Sequence, residues 1–535
     1  MSTELVQSLL SPDAYPEPER SEQVELLETH ISWLFFTGRF VYKVKKPVDY
    51  GFLDFTSPEK RRFYCFEEVR LNQRLSPDVY LDVVAIRRRD GRYAFADTGQ
   101  VVDHAVKMRQ LPRDRWLSQL LLRGEASPEL MRRIARRIAA FHASAATDDH
   151  IRQTGGIEAV RFNTRENFVQ TRDFLGVTVV PAVWDQVQAY TEAFLEVRVA
   201  LFRERERRGR IRDCHGDLHA DQICVEDGIA FIDCIEFNER FRFGDVAADI
   251  AFTAMDADYY GRPDLSAELV REYMAASGDS GVLDVLDFYK CYRAFTRGKV
   301  RGFRLRQAGL SEADRQTVIS QASRYFALAS GYARLRGSVL LTTCGLMGTG
   351  KTTLAAELAP RLGAEVLSSD IVRKELAGLS PEAPRPESWG RGIYAEDFTV
   401  QTYQELHRRA GERLGQNAVV ILDASYREAT WRHAARETAR AAGASFLLLE
   451  TVCPDETVRQ RLAGRGAGPS DGRLELLDAQ RQRFEAPIEV PEEERLVIDS
   501  AGPPNEVVQA ALLAVYRRRL ERDAQAGTAI SATPS

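Results

Sequence analysis

Residues 345–352 read Gly-Leu-Met-Gly-Thr-Gly-Lys-Thr and satisfy the pattern G-x-x-x-x-G-K-[ST] in full. No other stretch restricts the fold so tightly. The glycines let successive backbone N–H groups converge on one centre, and a helix beginning near Lys351 directs its positive end there. Such a loop needs a strand before it and a helix after it. SVLLTTC is apolar and strand-like, and TTLAAELAPRL has helical spacing. Apolar runs recur at 338–343, 365–368, 418–422, 445–450 and 495–498, with helical stretches between them. That alternation predicts an α/β, doubly wound parallel sheet covered on both faces.

The loop is built to hold phosphate. Gly345, Gly348, Thr349, Gly350, Lys351, Thr352 and Thr353 form the expected cradle. Lys351 can reach the β- and γ-phosphates of ATP, and the Thr352 hydroxyl suits Mg²⁺. Asp423 ends the strand AVVILD and is either a metal-ordering carboxylate or a strand-end cap. After the second strand, Asp370 and Arg373 stand three apart, on one helix face if a helix starts there. Asp370 can deprotonate an acceptor hydroxyl or merely cap the helix, and Arg373 can hold an anionic group beside it. Arg461 and Arg465 are four apart before a glycine-rich break. A solvated basic helix is the plain reading; the catalytic alternative sets these guanidiniums on the charge of phosphoryl transfer.

The first half carries a second signature. CHGDLHADQICV (214–225) precedes a turn at Glu226-Asp227-Gly228 and then FIDCIEF. Strands at about 222–225 and 229–232 would make a hairpin with Asp217 before it and Asp233 after it. One carboxylate can accept the proton of a hydroxyl while the other binds Mg²⁺. Upstream, VYKVKKP offers Lys43 on a strand, with Lys45 as its rival on the same side. FEEVRLNQRL offers Glu68 on the next helix to pair with Lys43, an arrangement that positions nucleotide phosphates.

This half resembles the aminoglycoside phosphotransferase and choline kinase group, distant relatives of protein kinases. Their loop H-G-D-[LI]-H-x-x-N is matched by His215, Gly216, Asp217, Leu218 and His219, with Gln222 in place of Asn. The resemblance implies a bilobal fold, Asp217 as base, Gln222 and Asp233 as metal ligands, and structural roles for Asp245 and Asp249 of GDVAAD. Gln222 keeps a neutral oxygen but is one methylene longer, which matters to an ion demanding octahedral geometry. The second half resembles P-loop small-molecule and polynucleotide kinases, including gluconate-kinase-like and zeta-toxin-like enzymes. By that likeness Asp370 is the acceptor-side base. VYKVKKPVDYGFLDF together with a C-terminal P-loop half is similar to bacterial two-domain proteins that fuse the two types.

The expected organisation is therefore a kinase-like α+β domain over 1–336, a P-loop domain over 337–520 and a disordered tail over 521–535. SEADRQTVISQASRYFALASGYARLRG (311–337) reads as a long helix capped by Ser311 and stopped at Gly337. The expected partner is a small-molecule or polynucleotide hydroxyl acceptor. The chain of 535 residues has a net charge of -5, so no nucleic-acid footprint is evident despite RRR at 87–89 and RRIARR at 132–137. No 18-residue apolar run is present, and seven scattered cysteines without CxxC suit small buried thiols and a cytoplasmic setting. Three functional readings stay open: both halves are kinases; the first is a nucleotide-sensing pseudokinase; or the chain is a slow regulatory ATPase.

Overall fold

The computed structural model describes residues 2–307, 309–380, 392–416, 418–464 and 474–531. The chain divides into two compact units, one of residues 1–169 and 200–307, the other of 170–199 and 308–535. The boundary expected near 336 thus falls inside the second unit. The helices Pro181–Val197 and Glu312–Tyr332 belong with the P-loop sheet. Gln186 Nε2 donates to Ser330 O at 3.3 Å, Arg361 Nη2 meets Asp185 at 2.9 Å, and Tyr516 OH donates to Ala333 O at 2.7 Å. Nothing in a sequence pattern distinguishes a helix that packs forward from one that packs back. The helix itself starts where Ser311 accepts from Asp314 N–H, but it ends at Tyr332; Gly337 takes its left-handed φ of 70° five residues later.

The first unit opens with an antiparallel sheet. Its strands are β1 (Glu25–Glu28), β2 (Ser32–Phe36), β3 (Phe40–Lys45), β4 (Tyr80–Arg89), β5 (Arg92–Ala94) and β6 (Gln100–Arg109), in the order β1-β2-β3-β6-β4-β5. The helix Pro58–Asn72 lies against β6 and β4, capped by Ser57, whose hydroxyl accepts from Lys60 N–H. Helices follow, as the periodicity from Leu130 predicts: Pro128–Ser144 buries Leu130, Ile134, Ile138 and Phe141 on one face. Two small ribbons sit among them, β7 (Ile211–Asp213) with β10 (Phe243–Asp245), and β8 (Ile223–Val225) with β9 (Ile229–Phe231).

The second unit contains the parallel sheet. Its strands β11 (Val339–Cys344), β12 (Ala364–Ser368), β13 (Val419–Asp423), β14 (Ser445–Val452) and β15 (Arg495–Asp499) run in the order β12-β13-β11-β14-β15. Because β11 lies centrally with its neighbours drawn from both directions, the sheet's order switches at the end of β11, where open α/β sheets bind ligands. β11 and β13 are buried throughout, as a sheet covered on both faces requires.

Of the expected tail over 521–535, residues 521–531 continue the helix that begins at Pro504, and 532–535 lie outside the described residues. The composition of its last turns is rich in alanine, a strong helix former, which a reading for small polar residues overlooks. Six of the seven cysteines are buried, and all are free thiols. Among the described residues no helix is long and apolar enough to cross a membrane. Leu422 is fully buried on β13. Leu422→Ala is expected to cost about 2–5 kcal/mol through lost transfer energy and a residual cavity, measured by urea denaturation of the full chain.

Candidate functional site

In the first unit, β3 presents Lys43 and Lys45 on one face because strand side chains alternate. The helix Pro58–Asn72 supplies Glu68 between them. Lys43 Nζ lies 2.7 Å from Glu68 Oε1 and 2.5 Å from Asp233 Oδ1, and Lys45 Nζ lies 2.7 Å from Glu68 Oε2 and also pairs with Glu236. The chosen lysine and its rival therefore share one carboxylate. Burial would depress both ammoniums, but Asp233 and Glu68 around Lys43, and Glu236 and Glu68 around Lys45, outweigh it and hold both charged. Glu236 is pushed up by its burial, whereas in Glu68 the two lysines overcome burial and lower the carboxyl.

Asp233 follows β9 with a φ of 63°, a left-handed conformation uncommon outside glycine. Its N–H donates to Tyr80 OH at 2.9 Å, and the next amide, of Cys234, donates to Asn72 Oδ1 at 2.9 Å. These bonds hold the strained residue beside the lysines. Gln222, just before β8, donates from Nε2 to Asp233 Oδ2 at 3.3 Å. The structure thus brings Lys43, Glu68, Asp233 and Gln222 to one place. Gln222 could add an oxygen ligand there only with its amide turned over.

The loop bearing Asp217 is fixed from below. Asp249, on the helix Val246–Tyr259, accepts from His215 N–H at 2.8 Å and Gly216 N–H at 3.0 Å. Its carboxylate also meets His142 Nε2 at 3.4 Å, and His142 Nδ1 lies 2.8 Å from Tyr273 OH. Burial would raise Asp249, yet His142, His215 and Arg293 bring it down to about 2. Asp245 caps the same helix and pairs with Arg205. Gly216 has φ 85°, and a Cβ there would stand 2.6 Å from Phe241 O. Asp217 Oδ2 is 3.4 Å from His219 Nε2. Asp221 N–H donates to His219 Nδ1 at 3.2 Å, and the guanidinium of Arg297 brings Nη1 within 3.1 Å of His219 Nε2. Burial pushes Asp217 up, but His219 and the guanidiniums of Arg297 and Arg293 more than cancel it and keep the carboxylate ionised. It stands ready to accept a proton.

In the second unit the loop after β11 has Gly345, Gly348 and Gly350 at φ 139°, 80° and 88°. A Cβ on Gly345 would stand 2.6 Å from Thr451 O, so only glycine fits. Thr349 Oγ1 bonds Thr451 Oγ1 and Leu346 O, each at 2.7 Å. Lys351 Nζ donates to Leu346 O at 2.7 Å, and Met347 N–H donates to Gln480 Oε1 at 2.7 Å. Thr352 Oγ1 donates to Asp423 Oδ1 at 3.2 Å, which joins the loop to the end of β13. Thr353 is exposed on the helix's first turn. These donors fit a chain of phosphates, and the Thr352–Asp423 pair fits a hard cation that prefers oxygen.

The helix Ser369–Leu376 carries Asp370 in its first turn and Arg373 one turn on. Arg373 is buried and donates to Ile393 O at 2.6 Å and Thr399 Oγ1 at 3.2 Å, while its Nε has no hydrogen-bond partner among the described residues. Burial lowers its pKa and the nearby Asp370 resists that. Arg461 stands beside the loop: Nη1 is 3.8 Å from the point a Gly350 Cβ would occupy, and Nη2 donates to Ser500 O at 2.7 Å. Arg465 lies outside the described residues.

Comparison with known proteins matches these two constructions separately. Residues 73–289 match the family described as "Phosphotransferase enzyme family", and residues 340–487 match one described as "AAA domain". Among solved structures, a choline/ethanolamine kinase family protein from Mesorhizobium loti covers 62% of this chain and 99% of its own at 14% identity and TM-score 0.37. A gluconokinase from Sinorhizobium meliloti covers 36% and 98% at 22% identity and TM-score 0.25. The chain thus joins a segment that matches a phosphotransferase family model to a segment that matches an AAA-domain model. Uncharacterized proteins of Mycobacterium tuberculosis and Mycobacterium bovis are 31% identical over 472 residues, which is 88% of this chain and 92% of theirs, and the chain belongs to the same family as these proteins.

Sequence reasoning missed Glu236, Gln480 and Thr451. Glu236 follows Asp233 by three residues, and that spacing, IDCIE, was the available signal. Gln480 and Thr451 act on backbone or hydroxyl groups of the loop and leave no local pattern.

Two outcomes follow from this geometry. Gly345→Ala is expected to abolish nucleotide retention by the second unit, read by binding of a labelled nucleotide to a chain whose first unit is disabled by Asp233→Ala. Asp249, depressed to about 2 from an ordinary 3.8, contributes about 2 kcal/mol that is fully present above pH 4 and is lost as pH falls toward 2. Asp249→Asn should lower stability at pH 7 and flatten its decline between pH 4 and 2, measured by urea unfolding across pH.

Proposed function

We propose that the chain is an ATP-dependent phosphotransferase with two nucleotide sites, each passing the γ-phosphoryl group to a hydroxyl of an acceptor. The observation that supports this reading most is common to both units: each gathers, within contact of one another, polar groups suited to a magnesium nucleotide. In the first, Lys43 lies on Asp233. In the second, Thr352 lies on Asp423 beside the glycine loop.

Mg²⁺, when bound, supplies positive charge against the phosphate oxygens. In the first unit, Lys43 is anchored by Glu68 and directs its ammonium to phosphate, Asp233 and Gln222 offer oxygens, and Asp217 accepts the acceptor's proton. His219 steadies the carboxylate that takes it. In the second unit, the amides of 345–352 and Lys351 receive the phosphates, Thr352 and Asp423 offer oxygens, Asp370 faces the acceptor and Arg461 adds charge near Gly350. Catalysis in both is positioning and charge stabilisation, with no covalent intermediate. The acceptor is a small molecule or a polynucleotide end, and the compartment is the cytoplasm.

A second reading is favoured by the Gln222–Asp233 contact: the longer amide occupies the carboxylate, and the first unit senses nucleotide without turning it over. Parallel variants decide between them. Asp217→Ala and Lys351→Ala are each expected to remove a distinct ATP-consuming activity, the former by about 10²–10⁴-fold. If Asp217→Ala leaves every product of labelled ATP unchanged, the first unit is a sensor.

A further inference from the structure

Beside the Asp217 loop lies a polar cluster that the phosphate-handling groups do not use. The helix Ile157–Thr171 turns Asn163, Glu166 and Asn167 to one side, at the spacing that places them on one face. Arg240, from the segment after Asp233, extends Nη2 to Glu166 Oε2 at 3.3 Å and stacks its guanidinium on Phe162 and Phe241, at 4.5 and 4.6 Å. Lys299, on the helix Leu283–Phe303, donates to Asn167 Oδ1 at 2.6 Å, and Asn167 Nδ2 donates to Thr296 Oγ1 at 3.1 Å.

Three features mark this cluster as a receptor rather than a core network. It is not satisfied: Asn163 is only 8% exposed, yet its Oδ1 has no hydrogen-bond partner among the described residues, and neither has the buried Nη1 of Arg240. Such orphans cost free energy unless something completes them. It is charged as well, since the cations Arg240 and Lys299 gather beside the carboxylate Glu166. Burial lowers Lys299 to about 8, and Glu166 resists that, so the ammonium persists at neutral pH. It is also next to the chemistry. Phe241, which carries the ring beneath Arg240, crowds Gly216 of the Asp217 loop through its carbonyl. The rim includes exposed aromatic faces: Phe162 is 56% exposed, and Tyr50 stacks on Phe52, which reaches Phe237 and Phe241.

We propose that this cluster holds the acceptor of the first unit and selects a hydroxyl-rich, ring- or chain-shaped compound bearing a negative charge, either carboxylate or phosphate. The amides and the Thr296 hydroxyl match hydroxyl groups, the Arg240 guanidinium with its open Nη1 matches the anion, and the aromatic rim matches the C–H face of a polyol. The inference rests on the reading of the first unit as a phosphotransferase.

The test uses the full chain carrying Lys351→Ala, so that transfer reports the first unit, with added Asp217→Ala as the blank. Labelled ATP is offered with gluconate, glucose 6-phosphate, glucose or glucosamine, which separates carboxylate, phosphate, neutral and cationic acceptors. The expected result is transfer to one or both anions at a kcat/KM at least about tenfold above the other two, the scale of one charge-assisted contact. Arg240→Gln and Lys299→Met should raise KM for the anion about tenfold with kcat changed much less, and Arg240→Lys should restore part of the loss, with the thermal midpoint confirming that each variant folds. Preference for glucose or glucosamine, or an unmoved KM, overturns the proposal. If no acceptor gains phosphate, the phosphotransferase reading falls, and equilibrium dialysis of labelled gluconate and glucose 6-phosphate judges the site alone. Retention that Arg240→Gln abolishes sustains it; no retention overturns it.

Discussion

Four buried charges and a fifth at their edge, the half-exposed Asp233, decide how the first unit is arranged. Lys43, Lys45, Glu68, Asp233 and Glu236 come from a strand, a helix and the segment behind a hairpin, and none of the three elements could bury its charges alone. Desolvating any one of them costs several kcal/mol unless a partner of opposite sign arrives in good geometry. The helix Pro58–Asn72 must therefore dock where Glu68 meets both lysines, and the backbone at Asp233 must accept an unfavourable φ to deliver its carboxylate. Tyr80 and Asn72 supply the hydrogen bonds that hold that turn.

The second unit reaches a similar end by other means. Its glycine loop after β11 is shaped by backbone geometry, so the requirement falls on conformation rather than on charge pairing. Gly345 cannot carry a side chain against Thr451, and the hydroxyls of Thr349 and Thr451 tie the loop to β14. One unit gathers side-chain charges and the other relies on glycines.

These two strategies explain what the sequence disclosed. The glycine loop and the alternating apolar runs gave the parallel sheet nearly strand by strand, because both signals are local. The Asp217 and Asp233 pair was legible since a short hairpin joins them. The choice between Lys43 and Lys45 was not, because both point to the same side of β3 and the structure shows both on Glu68. The division into units was also hidden: the helices Pro181–Val197 and Glu312–Tyr332 have apolar faces that say they pack, not against what. Glu236 and the Asn163–Lys299 cluster depend on contacts across 74 to 191 residues, for which a single sequence carries no marker.

The twin lysines have a further consequence for β3. Sliding this strand by two residues against β2 and β6 would preserve its inward face and bring Lys45 to the station of Lys43, an error that alternation alone does not forbid. Glu236 removes the degeneracy. It gives the inner lysine an anion of its own, so that a slipped strand would leave this acid stranded in a dry place. The carboxylate thereby acts as a locking pin for strand alignment as well as a counterion.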